Sequence, residues 1–324
     1  MRVEHRGGVV FERAYGVTKA RGGTPIAVDT RFDLASLTKP IVATVALGFV
    51  VAGRLALDAP LLDLVPEWSK TDRAAITLRR ILAHDAGFAS GADYRAILDE
   101  NVEAYALFEA PLVAQPGERA IYSDLGYIAL GAILERAGRA SLASIVRRAL
   151  HQYGVPSFEY RPRGAERARI PATEEDTWRG LVQGTVHDEK AHLMGGVAGH
   201  AGLFGNARDV ARIAAAYLRP SPAPGGLLAR EATREQAPDA ILRRGLGWAL
   251  KTRDDNSCGA KMGPNTFGHT GFTGTSVWTD PDRELIVVLL TNAVHFGRRD
   301  IRDLRAAVCD AAVDFSEAAC ARSA

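Results

Sequence analysis

Asp33-Leu34-Ala35-Ser36-Leu37-Thr38-Lys39-Pro40 is the stretch on which the fold turns. Ser36 and Lys39 stand three residues apart, a spacing that puts both side chains on one helix face. A serine hydroxyl becomes a nucleophile when a neighbouring base takes its proton, and a lysine amine whose pKa is pulled down can serve. Pro40 suits a first helical turn, where its missing N–H costs nothing. A helix is therefore predicted over residues 33–53, with Ser36 at the positive end of its dipole, where an oxyanion is stabilised. Behind the serine, Ile41 to Ala52 is apolar nearly all round, the mark of a buried helix. Gly53 closes it as a C-cap, and the run falls short of the roughly 20 apolar residues that cross a membrane.

The rest of the chain supplies a large core around that helix. Its 324 residues are 47% hydrophobic and 24% charged, with a formal net charge of +2. That is ordinary for a globular protein and long enough for one big domain or two interleaved ones. The charges are mixed, with no basic run for nucleic acid and no polybasic or amphipathic tail for a membrane surface. Cys258, Cys309 and Cys320 are widely spaced and form no C-x-x-C pair, which reads as buried or incidental thiols, with one disulfide left open. The start, Met1-Arg2-Val3-Glu4-His5, holds no apolar signal segment, which as written predicts the cytoplasm; an upstream start would make the protein extracytoplasmic.

Strand signals sit at both ends. Val9 to Gly16 reads as a strand after an Arg6-Gly7-Gly8 turn, with only about five residues left for its partner. Thr275–Thr279 and Leu285–Leu290 are strands joined by Asp280-Pro281-Asp282-Arg283-Glu284. Helical spacing appears over Ile76–His84, 93–110, Leu125–Ala137, Leu142–Leu150, from Asn206 as N-cap to Leu218, and from about Arg298 to Phe315. Residues 155–185 read as irregular. The pattern predicts an α+β protein. An antiparallel sheet and its flanking helices come from residues 1–55 and 206–324, a mainly helical domain spans 56–205, and the active site lies between them.

Two further segments turn an isolated S-x-x-K into a set: Tyr122-Ser123-Asp124 after the Pro116-Gly117 turn, and His269-Thr270-Gly271 before the late hairpin. S-x-x-K, S-D-N and K-T-G mark the penicillin-binding proteins and serine β-lactamases, and here their order is kept in variant form. The sequence resembles the class C β-lactamase-like serine hydrolases, a family of penicillin-binding D,D-peptidases, β-lactamases, D-aminopeptidases and esterases. The likeness also takes in Leu82-Ala83-His84-Asp85-Ala86-Gly87, the Gly-rich stretch from Gly196 to Leu203, and Gly268 to Gly274, and so covers nearly the whole chain. It implies a β-lactamase/transpeptidase-like fold and an acyl-enzyme on Ser36. Either Lys39 or Tyr122 is the base, and Asp124, His269, Gly271 and Phe272 contact substrate. It further implies an oxyanion hole made by the backbone N–H groups of Ser36 and Phe272, the latter on an edge strand.

Two departures shape the chemistry. Asp124 stands where β-lactam-handling members carry Asn. An ionised carboxylate only accepts hydrogen bonds, so it cannot donate to a substrate amide carbonyl, and it holds Lys39 protonated. His269 stands where lysine is common, and a neutral imidazole offers no fixed cation for a substrate carboxylate. Both favour ester, amide or D-amino-acid peptide hydrolysis. The alternatives are a β-lactamase or D,D-carboxypeptidase, or a catalytically silent penicillin-recognising protein. The partner is a small-molecule or peptide substrate, and no cofactor or metal is implied. His187, Asp188, His192 and His200 lack the tight pairing of zinc ligands and are expected to hydrogen-bond to backbone in a loop at the active-site rim. The glycines at 196, 199, 202 and 205 form neither G-x-G-x-x-G nor a P-loop and read as tight-turn residues. Leu203 and Phe204 suit either the core or a substrate pocket. His84 is expected to cap its own helix, and the four tryptophans are too scattered for a sugar platform.

Overall fold

The computed structural model describes residues 1–219, 224–237, 243–252 and 256–321. A seven-stranded antiparallel sheet is assembled from the two ends of the chain. Its strands are β1 (Arg2–His5), β2 (Gly8–Glu12), β3 (Arg243–Arg244), β4 (Ala249–Leu250), β5 (Phe267–Thr270), β6 (Ser276–Asp280) and β7 (Leu285–Leu289), in the order β2-β1-β7-β6-β5-β4-β3. The short first strand predicted from five residues is β1, which pairs with both β2 and β7. The β6–β7 hairpin closes on buried Asp280, whose carboxylate accepts the N–H groups of Asp282 and Gly263.

The central helix, α1, runs from Thr38 to Val51, later than the residue-33 start predicted for it. Asp33 belongs to a two-residue strand paired with Phe204 and Gly205. Its carboxylate accepts the Ala35 N–H at 2.8 Å, and Ala35 takes the left-handed conformation, φ 46°. Ser36 therefore sits in a 3₁₀ turn, Ala35–Leu37, ahead of the α-helix rather than inside its first turn. α1 is buried along nearly its whole length, and Gly53, φ 67°, turns the chain away two residues past its end.

The middle of the chain is mostly helical. α2 (Asp124–Gly138) and α3 (Leu142–Gln152) pack on α1, and the short α4 (Glu189–Leu193) lies near the site. α5 (Ala207–Leu218) is capped by Asn206 as predicted, its side-chain oxygen accepting the Asp209 N–H at 3.0 Å. The last helix, α6 (Arg302–Ala321), starts later than predicted because Gly297, φ 115°, breaks the chain and Asp300 caps the Arg302 N–H. The 93–110 stretch breaks into short pieces at Asn101, which caps Glu103 and Ala104. One cluster of buried apolar side chains joins α1, α2, α3 and α5 to one face of the sheet, and a smaller one packs α6 on the other. Cys258 and Cys309 are buried free thiols in that second cluster; the side chain of Cys320 lies outside the described residues. Among the described residues no helix is long and apolar enough to cross a membrane.

Candidate active site

The nucleophile turn is held from two sides. Leu34 N–H donates to the Leu203 carbonyl at 3.0 Å, and Leu203 N–H donates to the Thr38 hydroxyl at 3.3 Å. The turn after β5 answers from the other side, where Thr273 and Thr275 hydroxyls donate to the Asp33 and Leu34 carbonyls at 2.8 and 3.0 Å. Gly271 lies at this seam. A Cβ there would collide with the Thr275 hydroxyl and the Leu34 carbonyl oxygen, so only glycine lets β5 approach Ser36 this closely.

Lys39 is wholly buried. Its ammonium has three hydrogens and three acceptors: Ser36 Oγ at 3.0 Å, Asp124 Oδ1 at 2.8 Å and the His200 carbonyl at 3.4 Å. It also lies 4.7 Å from the centre of the Tyr122 ring. Burial lowers the pKa of this lysine, but the Asp124 carboxylate, with Tyr122, outweighs it and holds the ammonium well above its ordinary pKa.

Tyr122 is placed by His84. The His84 ring lies 4.7 Å from Tyr122 and 4.9 Å from Tyr127, and its Nδ1 accepts the Ser123 N–H at 3.0 Å. His84, φ 63°, closes its own helix as expected, its N–H donating to the Ile81 carbonyl at 3.2 Å and that of Asp85 to the Arg80 carbonyl at 2.9 Å, while its ring ties two distant segments together. Burial, with Arg244 and Lys39 nearby, keeps it neutral and able to accept. The same strap continues in Gly117 N–H to the Asp85 carbonyl and Ile121 N–H to the His84 carbonyl, both 2.7 Å. Ser123 then caps α2 through the Gly126 N–H, which starts the helix on which Asp124 is the first residue.

Ser36, Tyr122, His269, Gly271 and Phe272 share one cleft of about 530 Å³. β5 is not an edge strand: β4 lies outside it. That pairing reaches only Phe267 and Gly268, so the rim from His269 onward stays open beside Ser36. His269 Nδ1 faces the Thr270 carbonyl at 2.8 Å, while Nε2 is buried and has no hydrogen-bond partner among the described residues. Burial, with Lys39 and Arg244 close by, pushes its pKa down to about 3, so the imidazole is neutral. Phe272 is 55% exposed at the mouth, between the His187 ring at 5.5 Å and the Arg298 guanidinium at 5.4 Å.

Several participants carried no local sequence signal. Arg244, Arg298, Arg299 and Arg305 all line the cleft, so positive charge comes from other segments where His269 offers none. Asp124 also meets Lys190 at 3.3 Å, Lys190 meets Asp188 at 3.4 Å, and Asp188 meets His200 Nε2 at 2.8 Å. Donor atoms of Asp124, Asp188 and His200 lie within 4.8 Å of one another, but the Lys190 ammonium already occupies both carboxylates. Among the described residues the expected backbone bonds of the histidine rings are absent: the His187 ring nitrogens make no hydrogen bond, Nε2 lying 4.0 Å from the Glu174 carboxylate, and His192 packs edge-on against Trp178. Leu203 and Phe204 are core residues outside this cleft. The Gly-rich stretch presses its backbone on α2, where a Cβ on Gly199 would collide with the Tyr127 carbonyl. Three tryptophans are buried, but Trp178 is exposed and stacks on Tyr94 at 5.3 Å.

The Beta-lactamase family model matches residues 1–311. The chain belongs to the Beta-lactamase family. It is 30% identical to the putative D-alanyl-D-alanine carboxypeptidase of Escherichia coli strain K12, over 89% of this chain and 76% of that one. Among solved structures, the beta-lactamase/D-alanine carboxypeptidase from Pseudomonas syringae is similar with a TM-score of 0.78 at 18% identity, covering 97% and 92% of the two chains. EstCE1, a hydrolase with promiscuous acyltransferase activity, gives 0.76 at 21% identity, covering 96% and 92%. The resemblance read from the three motifs is thus the family, the α+β fold is the β-lactamase/transpeptidase one, and the protein is a serine hydrolase of this superfamily.

Proposed function

We propose that this hydrolase cleaves amides or esters whose leaving group carries a carboxylate, the D-alanyl-D-amino-acid type foremost, through an acyl-enzyme on Ser36. The observation that carries the reading is the Lys39 ammonium set between Ser36 Oγ and Asp124, in a cleft shared with Tyr122. A lysine held as ammonium has no lone pair for the serine proton. Tyr122 as phenolate is then the base, with Lys39 stabilising its charge. Tyr122 takes the hydroxyl proton, Oγ bonds to the carbonyl carbon, and the proton passes to the leaving amine or alcohol as its bond breaks. Water repeats the cycle on the ester. The N–H groups of Ser36 and Phe272 receive the oxyanion.

Substrate class follows from charge. The arginines of the cleft outnumber Asp300, its one lining carboxylate among the described residues, and favour a terminal carboxylate even though Arg298 is shared with Glu174 and Glu189 and Arg305 with the Gly271 and Thr275 carbonyls. The curated relative's name points the same way. Asp124 faces two ammonium groups and donates nothing to a penicillin side-chain amide. The sheet formed by residues 1–55 and 206–324 and the helical 56–205 region act as two domains with the site between them. The test is a panel of D-alanyl-D-alanine peptides, their C-terminal amides, p-nitrophenyl esters and nitrocefin, with intact mass after fluorophosphonate and fluorescent penicillin. Turnover of free-acid peptides above their amides, with a Ser36 adduct, is expected. Nitrocefin turnover above the peptides makes it a β-lactamase. No turnover and no adduct make it a silent member.

A further inference from the structure

Asp124, the family's Asn position, lies in a closed circuit of buried and half-buried groups. Lys39 Nζ meets Asp124 Oδ1, Asp124 Oδ2 meets Lys190 Nζ, and Lys190 meets Asp188 Oδ2. Asp188 Oδ1 meets His200 Nε2, and the His200 carbonyl returns to Lys39. Two ammonium groups thus face two carboxylates. Lys190 itself is 9% exposed and wholly outside the Ser36 motif. Its position is fixed by Asp188, which caps α4 by accepting the Ala191 N–H at 2.8 Å.

The arrangement answers a problem created by the Asp at 124. A carboxylate beside Lys39 with nothing on its second oxygen would draw that ammonium to itself and away from Ser36. Buried charges stay where they are only when each is matched. We propose that Lys190 is a positioning residue, whose ammonium balances Asp124 so that Lys39 stays shared between Asp124 and the Ser36 hydroxyl. This rests on the reading of Ser36 as nucleophile. The charged groups facing Lys190 are Asp188 on its own segment and Asp124 on α2; behind them stand Lys39 on α1 against Asp124, and His200 on the Gly-rich stretch and Asp33 before the nucleophile turn against Asp188, while Glu189 turns to Arg298.

The experiment is a charge-rescue cycle, read as kcat/KM for a p-nitrophenyl ester against pH, with intact mass of the fluorophosphonate adduct. Lys190→Met lowers kcat/KM by about 10- to 100-fold and moves the acid limb of the profile up by about one pH unit, since Lys39 then serves Asp124 alone. Lys190→Arg keeps the wild-type profile. Asp124→Asn in the Lys190→Met background removes one charge of each sign and restores kcat/KM to within about threefold of wild type. An unchanged profile in Lys190→Met, or no rescue in the double variant, overturns the proposal and leaves Lys190 a prop for α4. If Lys190→Met does not fold, the double variant is compared with Asp124→Asn alone. Higher activity in the double supports the role and lower or equal activity overturns it. A wild type that hydrolyses the ester without labelling Ser36 removes the nucleophile reading itself, a result distinct from a failed rescue on a labelled enzyme.

Discussion

A proton has to leave Ser36, whose hydroxyl is bonded by Lys39 and shares its cleft with Tyr122. Lys39 already spends all three of its hydrogens, one of them on Ser36 Oγ itself. A group donating to an oxygen is not at that moment its base, so the burden falls on Tyr122. Tyr122→Phe is expected to lower the rate of fluorophosphonate labelling of Ser36 by at least about 100-fold, with circular dichroism unchanged. Labelling at the wild-type rate would return the base role to Lys39. Gly271 makes a second demand at this scale. Gly271→Ala forces a methyl into the Thr275 hydroxyl and Leu34 carbonyl, an overpacking that costs about 1–3 kcal/mol. A lowered Tm and a loss of labelling are expected together, because the displaced backbone carries Phe272 and its N–H. A variant with unchanged Tm and unchanged labelling would show that the seam gives way without cost. The serine, lysine, tyrosine and H-T-G glycine were legible because each sits in a short motif. Lys190 was not, although one cue was available: three charged residues, Asp188, Glu189 and Lys190, run into an apolar Gly-rich stretch. Charges in such surroundings are buried only when paired.

At the scale of elements, what matters is how segments far apart in sequence are clamped. His84 does this for the α2 entrance by accepting the Ser123 N–H and packing its ring against Tyr122 and Tyr127. His84→Ala leaves that buried N–H without an acceptor, at about 1–3 kcal/mol, and frees the Tyr122 ring. The expected outcome is a fall in kcat larger than any rise in KM, with a lowered Tm; a rise in KM alone would mean that His84 shapes binding rather than the base. The sequence expectation of a local cap holds for the His84 backbone, but the acceptor role of its ring depends on a partner 39 positions on and leaves no local signal. The start of α1 was misplaced for a similar reason. Helical spacing continues through Asp33 to Leu37, but strand pairing of Phe32–Asp33 and the Asp33–Ala35 bond override it. Periodicity sees one helix face; it does not see a carboxylate turning the backbone into the left-handed region. β5 was read as an edge because its outer neighbours, β3 and β4, are only two residues long and carry too little alternation to register.

The whole molecule is a sheet closed by its two ends, and Asp33 stands where the nucleophile turn joins it to the helical middle. Strands at both ends and helices between were legible from the strand and helix patterns alone. The cationic wall of the cleft was not, since Arg244, Arg298, Arg299 and Arg305 come from two segments and meet only after folding. Asp33 bonds the Ala35 and His187 N–H groups while fully buried, and burial, only partly offset by those bonds, raises its pKa from 3.8 to about 6. A raised carboxyl pKa means the folded chain holds the proton more tightly than the unfolded one. The stabilisation is therefore complete below about pH 3.8 and is lost as pH rises through about 6, the reverse of an ion-paired aspartate. Across that window the difference is roughly 3 kcal/mol, from about 1.4 kcal/mol per pKa unit. Asp33→Asn removes the titration. The unfolding free energy of the wild type relative to the variant, from urea titrations at a series of pH values, is expected to grow by about that amount from pH 7.5 down to pH 3. A difference that stays flat, or that shrinks toward acid, would show the Asp33 carboxyl to be ionised as readily in the fold as in water, and the two backbone bonds, not burial, to govern it.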